Sequence, residues 1–337
     1  MADGPGEPMQ KGAMSPAGLK SPPEYPMEIE GPDLVPYRSS NTGVDYVHSF
    51  DSGVPGPHAM VNALTHGNEW CGMVVVKRLL DAKVRPKAGR LTVAFANVAA
   101  YETRGADGVG ARCVDRDFNR LWHDDLLQAD KQSVEAIRAH QMRPIIQTVD
   151  RLLDLHSTWH ALLPFFEMSQ LPRVRQLADR LALPARQLFL PDVWHEGYHL
   201  IDYGAFRNRA GSAVGLIAEC GQHFARSSVD TAWQATIRFL QVHGTIDAAT
   251  AGRLCPDPLS GAAIQRYEIV QPVIARTDGL RLTGSYAGFV HFAQGELAAL
   301  DGDDPVLAPF DGAVLLAPRP EPKAGQQAFS WGRVVQG

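Results

Sequence analysis

Through the middle of the chain, short apolar runs alternate with stretches whose apolar residues recur at helical spacing. AMVNALTH (59–66) reads as a buried strand that ends in a turn at Gly67 and Asn68. EWCGMVVVKRLLDAK (69–83) reads as an amphipathic helix and RLTVAFANV (90–98) as a second buried strand. KQSVEAIRAHQMRPIIQTV (131–149) predicts a helix broken at Pro144, because proline lacks the N–H that a helix needs. DRLLDLHS (150–157) is another strand and PFFEMS (164–169) a short further one, with VRQLADRLA (174–182) helical. AVGLIAECG (213–221) reads as a strand, and SVDTAWQATIRFLQVHG (228–244) as a helix stopped by Gly244. Apolar strands alternating with amphipathic helices predict an α/β fold, a mixed, largely parallel sheet with helices on both faces.

The texture changes at both ends. Residues 1–44 open with a segment rich in Pro and Gly and poor in β-branched residues, and predict a flexible N-terminal arm. Residues 45–251 carry the strand–helix alternation. From Gly252 on, short apolar runs separated by Gly, Asp and Pro predict a small C-terminal all-β domain over 252–337. Within it APFDGAVLLAP (308–318) is similar to a lipoyl- or biotinyl-type hairpin, but no lysine stands at its turn to carry a prosthetic group. A structural module is expected there.

Composition narrows the function classes. A chain of 337 residues, 45% hydrophobic and 20% charged, can bury one large core and a smaller one. A formal charge of −5 leaves no footprint for nucleic acid. No apolar stretch approaches the length of a membrane span, and the N-terminus lacks the apolar core of a signal peptide. Cys71, Cys113, Cys220 and Cys255 form no C-x-x-C pair, so neither a disulfide framework nor a cysteine zinc site is expected. A cytoplasmic protein acting on a small molecule is the expectation, with its number of subunits, homo-oligomer included, left open.

Polar residues then fall at the ends of three expected strands: His66, His156 and Glu219. In open α/β sheets ligands bind outside the carboxyl ends of the strands, so the three side chains should converge on one crevice. HGNE sets Glu69 three residues after His66, across a turn into a helix. With His156 this makes a His₂Glu set suited to one zinc ion per chain, with a fourth position left open for water. Asp154 shares a strand face with His156 and can orient its imidazole. Glu219 is then free to act as general base. RCVDRDFNR (112–120) adds Arg112, placed to polarise a carbonyl, and Asn119 beside Arg120, a pairing suited to a carboxylate. Arg209, ten residues before Glu219, is a second candidate carboxylate anchor. Each of these taken alone is more often structural or a solvated charge.

THGNE (65–69), RCVDRDFNR (112–120), DLHST (154–158) and GLIAECG (215–221) together resemble the aspartoacylase and succinylglutamate desuccinylase family of the zinc carboxypeptidase-like group. The resemblance covers roughly residues 45–250, and the small β domain fits the family layout. It implies that His66, Glu69 and His156 hold zinc, that Glu219 activates water and that Arg112 assists the carbonyl. It also implies that Asn119, Arg120 and Arg209 grip substrate carboxylates, and that the reaction is hydrolysis of an N-acyl amino acid or related small carboxylate. Three features depart from the pattern: the long arm, the aromatic and histidine-rich LPDVWHEGYHLIDYGAF (190–206), and a C-terminal tyrosine for which Tyr286 is the candidate.

That segment contains a rival metal motif. His195, Glu196 and His199 read H-E-x-x-H, with Glu219 available as a third ligand. The motif needs its histidines one helical turn apart, and Gly197 in its middle costs about 1 kcal/mol of helix stability relative to Ala. The segment is instead expected to serve substrate selectivity. A metallocarboxypeptidase acting on short peptides would use the same arginines. A non-enzymatic descendant ranks below both, because ligands and base are all present.

Overall fold

The computed structural model describes residues 25–105, 109–191, 197–256, 262–284, 286–319 and 321–336. The first half runs β1 (Val47–Asp51), β2 (His58–Ala63), α1 (Cys71–Asp81), β3 (Arg90–Phe95), α2 (Val98–Glu102), α3 (Asp124–Ala129), α4 (Val134–Ile146) and β4 (Arg151–Thr158). It continues through β5 (Phe165–Met168), α5 (Pro172–Leu181), β6 (Arg186–Phe189), β7 (Val214–Gln222), α6 (Arg226–Val242) and α7 (Ala248–Leu254). Strands β8 (Gln265–Ile274), β9 (Leu280–Leu282), β10 (Val290–Phe292), β11 (Leu297–Asp301), β12 (Asp304–Leu307), β13 (Ala313–Leu316) and β14 (Gln327–Val334) complete the described chain.

A parallel core, β3-β2-β4-β7, lies within a sheet of order β1-β3-β2-β4-β7-β5-β6-β8-β14-β13-β10. β1 and β5 run antiparallel to it, so the sheet is mixed. Alternation along each core strand divides two apolar layers. Ala59, Val61, Leu153, Leu155, Leu216 and Ala218 pack with residues of α1, α5 and α6 on one face. Met60, Leu152 and Ile217 pack with Trp122, Leu127 and Met142 on the other. Burial on both faces is why these strands read as apolar runs with no clean alternation.

The small β part is not separate from this sheet. β8 pairs in parallel with β6 and antiparallel with β14, and α7 spans the boundary expected at 251. A second sheet, β12-β11-β9, closes over its own core of Phe292, Phe329 and Trp331. Of the segment expected as a flexible arm, residues 25–44 lie against the larger part. The Glu28 N–H donates to the Phe224 carbonyl (3.0 Å), and the Tyr101 hydroxyl to the Pro32 carbonyl (2.9 Å).

Two local expectations change. The strand begun at 59 stops at Ala63, because Leu64 takes a left-handed conformation (φ 60°) and turns the chain out of the sheet. The helix expected to break at Pro144 instead continues to Ile146. Pro144 sits in the last turn, where one missing N–H interrupts little. β6 and α7 were not foreseen: four residues are too few for a period, and α7 buries only Ala251. Among the described residues no helix is long and apolar enough to cross a membrane.

Helix α1 can lie close over β2 and β4 only because position 72 is glycine. A Cβ there would stand 2.6 Å from Leu155 Cβ and 3.0 Å from Ala63 Cβ. Gly72→Ala should therefore lower stability by about 1–3 kcal/mol, the usual cost of overpacking. The measurement is the urea unfolding midpoint, and an unchanged midpoint would show that α1 packs less closely than described.

Candidate metal centre and active site

The turn after β2 places the first two site residues. The Gly67 N–H donates to the Arg112 carbonyl (3.1 Å), and a Cβ at Gly67 would fall 2.4–2.5 Å from backbone atoms of Ala100, Tyr101 and Ala111. Only glycine fits between them. The same turn, in which the Glu69 N–H donates to the His66 carbonyl (3.2 Å) just ahead of α1, sets Glu69 Oε1 2.7 Å from His66 Nδ1. His156, near the carboxyl end of β4, brings its Nδ1 to 3.0 Å from Glu69 Oε2, and the Ser157 N–H donates to that same oxygen (3.2 Å). Potential ligand atoms of His66, Glu69 and His156 all lie within 4.8 Å of one another, and all three residues are buried.

Each imidazole is held from behind by a carboxylate. His156 Nε2 donates to Asp154 Oδ2 (2.9 Å), while Asp154 Oδ1 accepts from Asn62 Nδ2 (2.8 Å) and Thr65 Oγ1 (2.9 Å). His66 Nε2 donates to Asp117 Oδ1 (3.0 Å), and Arg112 Nε donates to Asp117 Oδ2 (3.0 Å). A carboxylate only accepts, so both Nε2 atoms carry hydrogen and both Nδ1 atoms turn toward Glu69. Two nitrogen lone pairs facing two carboxylate oxygens repel unless a cation, a proton or a metal, stands among them. Consistent with this, burial alone would lower the His156 pKa, but Asp154 and Glu69 outweigh it and hold the imidazole well above its ordinary value. Burial likewise would raise Glu69, yet the two imidazoles hold it well below the usual carboxylate range. The donor set suits zinc.

Asp117 was not anticipated as a partner of His66. It stands two residues before Asn119 in a loop, where no strand or helix period could tie it to position 66.

Glu219 reaches the same place from β7, in register with His156 on β4 and with Phe165 on β5. Its Oε2 is buried without a hydrogen-bond partner. Burial, then the charges of Glu69 and Glu167, push its pKa well above the ordinary value. Arg112 Nη1 lies 3.4 Å from Glu69 Oε1, and Arg112 and the cluster together line a cavity of about 820 Å³. Asn119 and Arg120 line that cavity from a short 3₁₀ turn, Phe118–Arg120. The Asn119 amide oxygen accepts the Leu200 N–H (2.8 Å), so it also pins the following wall.

Other expected residues lie elsewhere. Arg209 is exposed and does not line the cavity. Arg173 donates to the carbonyls of Phe206, Asn208, Arg209 and Ala213, which ties that loop to α5 before β7 begins at Val214. The site opens five residues further on, at Glu219, roughly 17 Å along a strand. Tyr286 packs on Phe292 in the small β part and hydrogen-bonds Thr283 Oγ1 (2.6 Å), away from the cavity. His195 and Glu196 of the rival motif lie outside the described residues. Over its remaining positions no helix forms. Gly197 has φ 134°, the Tyr198 N–H donates to the Arg120 carbonyl (3.1 Å), and His199 is extended. His199 is buried and lines the cavity, so the aromatic segment does form part of the wall.

His223 joins the site unforeseen. Its Nδ1 is 2.9 Å from Ser157 Oγ and its Nε2 accepts from Asn68 Nδ2 (3.3 Å), while burial lowers its pKa to about 4. It is a neutral imidazole at pH 7. Trp159 packs edge-on against it. The floor beyond is built from β5, β6 and the small β part, through Glu167, Leu188, Leu316 and Gln327.

The catalytic-domain model of the succinylglutamate desuccinylase/aspartoacylase family matches residues 55–221. By this domain the chain belongs to that family. The match runs from just before β2 into β7 and takes in the whole His66–Glu69–His156 cluster and Glu219. Solved structures extend the likeness to the fold as a whole. Succinylglutamate desuccinylase from Vibrio cholerae is 19% identical, covering 87% of this chain and 86% of its own, with a TM-score of 0.63. A succinylglutamate desuccinylase/aspartoacylase from Rhodobacter sphaeroides is 16% identical over 87% and 90%, with a TM-score of 0.65. The product-bound ectoine utilization protein EutE (DoeB) from Ruegeria pomeroyi is 16% identical over 85% and 88%, with a TM-score of 0.63. Comparison with curated proteins returned no match. The succinylglutamate desuccinylase/aspartoacylase family is one of deacylating hydrolases, and this member brings to it a buried His–Glu–His group able to hold a metal.

Removing either carboxylate behind the imidazoles should loosen the metal without unfolding the chain. Asp154→Asn and Asp117→Asn are each expected to weaken zinc binding about 10–100-fold, measured by competition with a chelator. Unchanged affinity in both would show that the imidazoles are oriented by other means. Uptake of zinc at pH 7 should also release protons, because His156 holds one where the metal would bind. Calorimetry in buffers of different ionisation enthalpy reads this directly.

Proposed function

We propose that this protein is a zinc-dependent amidohydrolase that removes the acyl group from an N-acyl amino acid or a related small carboxylate. What carries the proposal is one juxtaposition. Three electron-pair donors converge within 4.8 Å of one another, and beside them stands Glu219 with a buried, unpartnered oxygen. His66, Glu69 and His156 would hold the zinc, which when bound supplies a Lewis acid and lowers the pKa of water toward neutrality.

The chain's own groups supply the rest. Glu219, raised out of the ordinary carboxylate range by burial, takes a proton from water and returns it to the departing amine. Arg112, fixed by Asp117, points a guanidinium at the place where negative charge develops on the carbonyl oxygen. Arg120 and Asn119 receive the substrate carboxylate at the cavity wall. His223 stays neutral and holds Ser157 and Asn68 in place around the cluster.

Glu219→Gln should keep its zinc and lose hydrolysis of N-acyl amino acids by about 10²–10⁴-fold, the usual worth of a general base. His66→Ala should lose the zinc itself. Metal content and turnover are measured on the same preparations. A Glu219→Gln protein as fast as the parent, or a His66→Ala protein with full metal, would falsify this assignment.

A further inference from the structure

Arg112 and Asp117 stand on a loop that has no regular structure of its own. From Ala111 to Asp117 the chain forms neither helix nor strand. It is fastened at its start, where the Ala111 N–H donates to Thr103 Oγ1 (2.8 Å) and the Arg112 carbonyl accepts the Gly67 N–H (3.1 Å). Among the described residues, Val114, Asp115 and Arg116 then make no backbone–backbone hydrogen bond.

Their three N–H groups turn instead to one side chain. Glu135 Oε1 accepts from the Val114 N–H (2.7 Å), and its Oε2 accepts from the N–H groups of Asp115 (3.0 Å) and Arg116 (3.1 Å). Asn97 Nδ2 adds a second donor to Oε1 (3.0 Å). Successive N–H groups that point one way form an anion-binding hollow. Here the anion is the chain's own, since Glu135 is 0% exposed and stands in the first turn of α4. Burial by itself would raise its pKa, but the donors around it, the Val114 N–H foremost, hold it below the ordinary carboxylate range. Helix and loop are tied in the other direction too. Asp115 Oδ2 accepts the N–H of Val134, the first residue of α4 (2.8 Å), and Arg116 pairs with Asp130 just ahead of that helix (2.9 Å).

A carboxylate suits this place by its count of acceptors. It accepts at both oxygens and donates at neither, which matches four N–H donors. A glutamine of the same shape would turn an amide NH₂ toward part of that set, in a site too buried for water to intervene. The chemistry lies on either side of the anchor. Arg112 stands two residues before Val114. Asp117 follows Arg116 and accepts from His66 Nε2 and Arg112 Nε. Glu135 itself lines no part of the cavity.

We propose that Glu135 is a positioning residue of the active site: by gathering the N–H groups of residues 114–116 it sets Arg112 and Asp117 where they reach the substrate carbonyl and His66. What Arg112 does there rests on the deacylase function proposed above, and the experiment separates the two.

Zinc affinity, by competition with a chelator, and turnover of N-acyl amino acids at saturating zinc are measured on the full chain. Glu135→Gln should weaken zinc about tenfold, because Asp117 no longer orients His66. It should lower kcat about 10²-fold, the usual effect of a displacement near 1 Å, with KM changed less. A purely structural role would add its loss in any background, whereas a positioning role vanishes with the residue positioned. In Asp117→Asn, Glu135→Gln should therefore leave zinc affinity within about twofold, and in Arg112→Ala it should leave kcat within about twofold. Full additional losses in those backgrounds would overturn the proposal, as would parental affinity and kcat in Glu135→Gln itself. Should Glu135→Gln not fold, Asp115→Ala loosens the same loop from its exposed side. It should weaken zinc severalfold, and Asp115→Asn, which keeps an acceptor for the Val134 N–H, should restore it. Parental affinity in Asp115→Ala would then overturn the proposal. Weakened zinc in Glu135→Gln, with no hydrolysis of any N-acyl amino acid by the parent, would keep the tether and remove the deacylase assignment. Hydrolysis by the parent and by an unaltered Glu135→Gln would do the opposite.

Discussion

The site depends on one buried carboxylate, Glu69, whose two oxygens face two imidazoles at 2.7 and 3.0 Å. Taking a carboxylate and two histidines out of water is expensive, and the cost is tolerable only if a cation resides among them. Asp117 and Asp154 make the demand stronger. By accepting from the far nitrogens, they turn both near nitrogens inward and add two more negative charges around the cluster. The surrounding protein is arranged around this electrostatic problem. Asn62 and Thr65 satisfy the second oxygen of Asp154, and Arg112 lies across Asp117 and Glu69.

The sheet brings these groups together by simple alternation. Asp154, His156, Glu219 and Glu167 occupy the same face of neighbouring strands, while Leu153, Leu155, Leu216 and Ala218 fill the opposite face with apolar contacts. Stability and chemistry are thus assigned to opposite sides of the same strands. Moving β7 by one residue against β4 would exchange Glu219 for Ala218 at the cluster. The tight packing of α1 at Gly72 and of the 65–69 turn at Gly67 holds Glu69 at a fixed height above that face.

Much of this was legible in order along the chain. His66, Glu69, His156 and Glu219 could be selected because each follows or ends an apolar run, and strand ends gather at one edge of a parallel sheet. Asp154 was visible for a related reason, since a strand repeats every two residues. Arg209 shows where such inference stops. It too precedes an apolar run, but on the amino side, and Arg173 ties its loop to α5 at the far end of β7. Asp117, His223 and Glu167 illustrate the converse. Two lie in irregular or strand-ending segments, and the third lies on a short strand whose neighbours in space are 20 to 50 residues away in sequence.

Sequence alone determined the kinds of element, the alternation that covers both sheet faces, and the residue types able to bind a metal and move a proton. These are local properties, set by periodicity and by the chemistry of single side chains. Tertiary structure decided which strand lies beside which, that β5 runs against its neighbour β7, and that the small β part closes the far wall of the cavity. It also decided which polar atoms are left without partners. Pairing and orphaning depend on contacts between distant segments, and no local pattern encodes them.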